Sequence, residues 1–291
     1  MKEKDPTTRT RELGAALRHA MDRASLSGRE FARKVDWSQA TISKLLNGKV
    51  YATEVDVATF LAVCEVTGEE RKRLLKLARE QDDEGWLQQY GSRVPKQVKT
   101  LVQHEDRATA IREFESWYVP GLLQIRDYAR AAIKSCVNVP AEEVEDRVDA
   151  RLTRQNIFDR FERPDFTFYI HEFALRLPMG GAAVMSAQLH ELLRLSVRRY
   201  LNIRVIPASV GGHAGMAGAF RLMEFAEFNS VIYLEGETSG VFLEKEEQIT
   251  AYENILEGLA AAALSEGQSR DCISDLAVEL YPDGEDHDDG G

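Results

Sequence analysis

The chain has 291 residues, 44% hydrophobic and 29% charged, with a formal net charge of −11. At roughly 100–200 residues per domain this length predicts about two domains of ordinary globular composition. No apolar run approaches the ~18–20 residues of a membrane helix. The opening MKEKDPTTRTREL lacks the apolar stretch of a secretory signal, and Cys64, Cys136 and Cys272 are too few and too scattered for a disulfide framework. Collagen-like, disulfide-stapled and membrane-spanning classes are set aside, and the expected setting is a reducing cytoplasm.

Charge is unevenly spread. Residues 1–80 hold 16 basic and 12 acidic residues, net +4, while the remainder carries net −15. A modestly basic unit attached to an acidic body fits a nucleic-acid reader tethered to a domain that avoids DNA, although +4 is also what a solvated surface carries. The predicted organisation is a helical unit at 1–80, a polar linker at 81–96 (QDDEGWLQQYGSRVPK), a body at 97–281 and a tail at 282–291. Five carboxylates from Asp283 onward predict that the tail is disordered.

In chain order, Thr10 to Ala24 sets Leu13 and Leu17 with small alanines on one helical stripe. Ser27 stands three residues before Glu30, a capping-box spacing, and opens a short helix with Phe31, Ala32 and Val35 inward. Asp36-Trp37 makes a turn. Ser38 then caps SQATISKLLNGK, which Asn47-Gly48 stops. Val55, Ala58, Leu61 and Ala62 mark a fourth helix, and Leu74, Leu75 and Ala78 a fifth.

Two short helices joined by a tight turn have helix-turn-helix geometry. In the second, Ile42, Leu45 and Leu46 form the buried stripe, which leaves Gln39, Ala40, Ser43 and Lys44 outward with Thr41 at the edge. That face is small and polar, with a single charge. It suits a major groove, where Gln can bond adenine N6 and N7 together and an alanine methyl can touch a thymine methyl. Ser38, Thr41 and Asn47 carry donors suited to phosphate, as do helix N-terminal amides. The alternative is a surface helix in a small all-α bundle.

The run Ser27-x-x-Glu30-Phe31-Ala32-x-x-Val35-x-x-Ser38-Gln39-x-Thr41-Ile42-Ser43-x-x-x-Asn47-Gly48 resembles the XRE/Cro-type repressor helix-turn-helix over about residues 10–80. The resemblance implies base contacts from Gln39, Ala40 and Lys44, with Ser43 a further candidate. It implies phosphate contacts near Gly28 and Arg29, on Thr41, and around Asn47 and Lys49. Two departures stand out. Asp36 occupies a turn position usually held by Gly, at a cost of up to ~1–2 kcal/mol if its φ is positive. Met21 and Leu46 stand where relatives pair an Arg with a Glu, so apolar packing is expected to replace an ion pair.

In the body, Lys99 to Phe114 and Ile125 to Ile133 have helical periods, broken by Pro120-Gly121, and a long helix is predicted from Pro140 to Phe161. Phe166–Ile170 reads as a strand and Val184 to Tyr200 as a helix. Strands follow at Asn202–Ile206, Ala219–Phe225, Ser230–Leu234 and Gly240–Leu243. Helices at about Glu246–Ala263 and Glu266–Leu280 close an α+β domain with a small, mostly antiparallel sheet. The segments Tyr118-Val119-Pro120-Gly121-Leu122-Leu123-Gln124, Asp127-Tyr128-Ala129-Arg130, Arg147 with Arg151, Arg154 and Gln155, His171-Glu172-x-x-Leu175-Arg176, Met185-x-x-Gln188-Leu189, and Val205-Ile206-Pro207 followed by Gly212-His213-Ala214-Gly215 resemble the C-terminal domain of Scr-type, antitoxin-like regulators over about 95–280. That resemblance implies a small acidic partner protein encoded nearby and supplies no ligand. Ile125 departs from it, since relatives more often carry a small polar residue there.

Enzyme signatures are weak. Gly211, Gly212, Gly215 and Gly218 lack the Lys-Ser/Thr pair and following helix of a phosphate loop, so a β–β loop is expected. His171-Glu172, His190 and His213 have no metal spacing, and Ser186 and Ser209 have no nucleophile context. Arg147, Arg151 and Arg154 share a helix face and read chiefly as a solvated or ion-paired face, with an anchor for an acidic partner or an anionic ligand as the other reading. Glu235-Gly236-Glu237 reads as an exposed loop. The strand aromatics read as core, or in part as a cavity lining.

The expectation is therefore a cytoplasmic, sequence-specific DNA-binding transcriptional regulator, a repressor by preference. It is not an enzyme and has no cofactor, metal site or membrane partner. It acts as a homodimer on a double-stranded operator, with half-sites spaced by about 10 bp or a multiple. Its body dimerises or takes a partner protein or small ligand. One alternative is an antitoxin-like protein that sequesters a small partner and regulates its own operon, and the other is an enzyme controlled by its own DNA-binding domain.

Overall fold

A computed structural model describes the chain except residues 1, 4–7, 80–85, 90–95, 227–228, 237–238 and 281–291. The predicted tail and most of the predicted linker lie outside the described residues. Two compact units emerge: Met1–Trp86 with the stretches Glu227–Val231 and Phe242–Lys245, and a second unit holding the rest. Within the segment read as linker, Trp86–Gln89 is a strand.

In the first unit β1 (Lys2–Glu3) pairs antiparallel with β2 (Val50–Tyr51), and the helices are α1 (Thr8–Arg23), α2 (Gly28–Val35), α3 (Gln39–Leu46), α4 (Glu54–Val63) and α5 (Gly68–Arg79). The caps follow from the sequence. Ser27 Oγ accepts from the Glu30 amide at 3.3 Å while the Glu30 carboxylate accepts from the Ser27 amide at 2.9 Å, so two orphan donors are satisfied reciprocally. The Ser27 hydroxyl, which donates to the Glu30 carboxylate at 2.6 Å, and then the Ser27 amide hold that carboxyl below its ordinary value. Ser38 Oγ accepts from the Thr41 amide at 3.0 Å. Thr53 and Asp56 build a further capping box on α4 that the sequence reading missed. At the end of α3, Gly48 takes φ +69°. The Gly48 and Lys49 amides return to the Leu45 and Lys44 carbonyls at 3.0 and 2.8 Å. This is a Schellman stop, where a left-handed residue is required.

The core of this unit gathers Leu13, Leu17, Phe31, Ile42, Leu45, Phe60, Leu61 and Leu74, with Phe31 and Phe60 stacked at 4.1 Å. Met21 and Leu46 both lie in it, so apolar packing does occupy the place of the ion pair. On α4 the expected stripe is displaced: Val55 is 73% exposed, and Val57, Phe60 and Leu61 face inward. The helix is apolar on nearly every side, so its period cannot choose a face.

Asp36 has φ +56° and ψ +37°, the strained turn anticipated for that position. Asp36→Gly is expected to raise stability by about 0.5–1 kcal/mol, the left-handed penalty of an L-residue less glycine's extra chain entropy. Thermal unfolding of the two proteins checks this, and an unchanged or lower midpoint would contradict it.

The second unit holds most of a mixed sheet whose strand order is β3 (Trp86–Gln89), β9 (Ser239–Leu243), β8 (Val231–Glu235), β7 (Phe220–Glu224), β4 (Ala110–Glu115), β5 (Asp165–His171), β6 (Leu201–Ile206). β4 runs parallel to β5 and β5 parallel to β6, whereas β4 and β7 are antiparallel with Glu113 opposite Arg221. The α+β class holds, but the sheet has seven strands and a parallel centre, not the small, mostly antiparallel form expected. Parallel neighbours need long crossovers. These are α7 (Arg126–Lys134) with α8 (Val144–Arg154) between β4 and β5, and α9 (Glu172–Arg176) with α10 (Ala182–Leu195) between β5 and β6. After β9, α11 (Glu246–Ala262) and α12 (Glu266–Leu280) close the unit.

β4 lies where the sequence predicts helix. The helix predicted from Lys99 to Phe114 is α6 (Lys96–Glu105) followed by a central strand. Glu113 on that strand is 3% exposed, so a charged residue at a core position hides the alternation. It is held there by charge. Arg221 donates to Glu113 at 2.9 Å and also to the buried Glu105, and Glu105 receives two bonds from Arg154 at 3.0 and 2.6 Å. Burial pushes the Glu105 carboxyl up, but Arg154 and Arg221 outweigh it and hold the group below its ordinary value. The arginine face predicted as solvated is therefore only partly so. Arg147 pairs with Glu143 at 2.8 Å as expected, while Arg151 bonds Gln124 at 2.8 Å and Arg154 turns to Glu105.

Candidate nucleic-acid interface

α3 is amphipathic across its short length. Ile42, Leu45 and Leu46 are buried. Ser38, Gln39, Ala40, Ser43 and Lys44 are exposed, and Thr41, Asn47 and Lys49 are half-buried. The expected base-reading edge is thus presented outward, on a helix fixed at one end by the Ser38 cap and at the other by the Gly48 turn. The hydroxyls of Ser38 and Thr41 lie 2.8 Å apart, so each is oriented by the other before any phosphate arrives.

Gly28 stands at the first turn of α2, with open space where a Cβ would lie. Its half-buried backbone and the exposed Arg29 bring the α2 N-terminus beside α3. A hollow of about 190 Å³ is lined by Arg18, Gly28, Gln39, Ile42, Ser43, Leu46 and Asn47. Four of the predicted residues, Gly28, Gln39, Ser43 and Asn47, therefore surround one depression. Ala40 and Lys44 belong to the adjacent stripe of α3.

Arg18 was not anticipated. Its guanidinium donates to the Leu46 carbonyl at 3.2 Å and to Asn47 Oδ1 at 2.7 Å, and Asn47 Nδ2 reaches Ser43 Oγ at 3.5 Å. α1 is thus tied to the end of α3 by an arginine on backbone and amide oxygens, beside Met21 and Leu46 in the shared core. The signal in the sequence was Gly14, one turn before Arg18, whose missing side chain lets α1 approach the end of α3.

In the second unit the other candidates take structural places. His190 Nδ1 lies 2.8 Å from the Ser186 carbonyl one turn back. His171 Nδ1 caps α9 at the Phe173 amide, and Gly211 and Gly218 have positive φ in the β6–β7 loop. Among the described residues no cluster of three or more His, Cys, Asp or Glu could hold a metal, and no helix is long and apolar enough to cross a membrane. Glu237 lies outside the described residues.

Residues 12–74 match the family described as a helix-turn-helix domain, which supports a DNA-binding regulator. Residues 98–275, more than half of the chain, match the family described as a domain of unknown function, DUF5753. The chain belongs to that DUF5753 family. No curated protein and no solved structure matches it.

Proposed function

We propose that the protein is a sequence-specific transcriptional regulator rather than an enzyme, acting as a repressor and as a homodimer. Gln39, Ala40 and Lys44, with Ser43, read bases in a major groove. Gly28, Arg29, Ser38, Thr41, Asn47 and Lys49 hold phosphates. The observation that carries this reading is the exposed, nearly uncharged outer face of a helix whose inner face is wholly buried and whose two ends are capped. One eight-residue helix reads few bases, so two copies on a two-half-site operator are needed for specificity. The acidic body supplies self-association and receives a partner protein or small ligand.

The test is genome-wide DNA occupancy of the native chain and of Gln39→Ala. A lost bidentate base contact is worth about 1–3 kcal/mol. The variant should therefore relax preference at one or two positions of each half-site while phosphate-driven affinity persists. Unchanged preference would remove Gln39 from the base-reading edge.

A further inference from the structure

The parallel centre of the sheet sends the carboxyl ends of β4, β5 and β6 to one edge. Trp117 lies two residues beyond β4, His171 is the last residue of β5, and His213 lies in the loop that follows β6. Their rings form one row. Trp117 and Phe173 lie nearly parallel, with centroids 6.3 Å apart and planes 15° apart, and they are 59% and 47% exposed. Phe173 meets His171 at 4.6 Å, and His171 stacks on His213 at 5.2 Å with 26° between planes.

Both imidazoles have a fixed tautomer. His171 Nδ1 accepts from the Phe173 amide at 3.2 Å, and His213 Nδ1 accepts from the Gly215 amide at 3.1 Å. A neutral ring whose Nδ1 accepts must carry its proton on Nε2. Burial, and then the neighbouring His213, hold the His171 pKa below its ordinary value, which favours that neutral form. Neither Nε2–H has a hydrogen-bond partner among the described residues. A protonated Nε2 offers no lone pair to a metal and cannot accept a proton. It can only donate, and His171 stands against the Phe173 ring, which in turn lies along Trp117. The adjacent Glu172 carboxylate does not compete, because it already accepts from Arg176 at 2.6 Å and from the Ala208 amide at 2.8 Å.

We infer that this row is a binding site for a small planar carboxylate, whose ring lies on Trp117 and Phe173 and whose oxygens accept from His171 and His213. A carboxylate is favoured over a neutral carbonyl because charge-assisted hydrogen bonds are roughly twice as strong. The inference deepens the reading of the body as the half that receives a signal. Binding is measured without DNA, so its failure would leave the helix-turn-helix reading standing.

The test titrates the full chain with benzoate, indole-3-carboxylate and benzylamine, following the Trp117 indole and the histidine ring signals by NMR. At least one of the two carboxylates should bind saturably, and the amine at least about tenfold more weakly. Trp117→Ala and His171→Asn should each weaken carboxylate binding by about tenfold, the scale of one hydrogen bond to a charged group. Asparagine keeps an oxygen acceptor to cap the Phe173 amide but lacks the Nε2–H donor, so the fold of α9 is preserved. Phe161→Ala, at a fully exposed position outside the row, should change nothing. Absence of saturable binding by both carboxylates, equal binding of benzylamine, or indifference to Trp117→Ala would overturn the assignment.

Discussion

Replacing Arg221 with methionine is expected to cost the body about 3–5 kcal/mol, the usual penalty for removing one partner of a buried ion pair. Arg221 sits on β7 directly opposite Glu113 on β4, and its guanidinium spans Glu113 and Glu105, with all three side chains nearly inaccessible. Methionine fills much of the volume but leaves Glu113 without that partner and Glu105 with Arg154 alone. Nearby Glu115 already has its carboxyl pushed well above the usual range by burial and by its neighbours Glu113 and Glu235, and Arg221 opposes that rise. Taking away the cation therefore sets several carboxyls against one another. Urea unfolding of the full chain measures the loss. Pairing Arg221→Met with Glu113→Gln should recover part of it, because the uncompensated charge goes too. A loss below about 1 kcal/mol would show that water or a neighbour solvates these acids.

Gly14→Ala is the second large effect, and two forces oppose each other there. Helix propensity alone predicts a gain of about 1 kcal/mol from replacing glycine inside a helix. Packing predicts the reverse. A Cβ at this position would lie 2.6 Å from the Leu46 carbonyl oxygen and 2.8 Å from that of Leu45, both backbone atoms of α3. No rotamer can relieve a clash with backbone, so α1 and α3 must separate, stretching the Arg18 bonds to Leu46 and Asn47. Overpacking of this kind costs about 1–3 kcal/mol, and the net change should be a loss. The same displacement would tilt α3, so specific DNA affinity should fall further than stability does. Chemical denaturation together with operator binding checks both parts. A more stable variant would mean that α1 and α3 are not pressed together at this crossing.

The first unit was legible because each of its signals is local. The Ser27–Glu30 spacing, the Ser38 cap and the Asn47-Gly48 stop each fix a helix end within a few residues, and all three occur in the structure. The face of α4 was not legible, since EVDVATFLAV offers apolar residues in every direction. Arg18 escaped notice because its partners are the Leu46 carbonyl and Asn47, nearly thirty residues away. β4 was lost for a related reason. Its buried Glu113 is explained only by Arg221, 108 residues later, and a single window contains no such partner. The ring row could not be seen either, because Trp117, His171 and His213 meet only when three parallel strand ends line up. His171 and His213 are 42 residues apart in sequence, and nothing in that spacing joins them.

With α3 in duplex DNA and phosphates clamped on both sides, as proposed, binding must depend steeply on salt. Each neutralised phosphate releases counterions, so log affinity should fall linearly with log salt at about −0.9 per contact. A dimer placing some 6–10 donors on the backbone should lose roughly 10³–10⁵ in affinity between about 50 and 200 mM salt. A steep line is expected for the native chain, with Lys49→Ala making it shallower by about two phosphate contacts, one from each protomer. A flat line for the native chain would mean that whatever it binds is not gripped through a phosphate backbone.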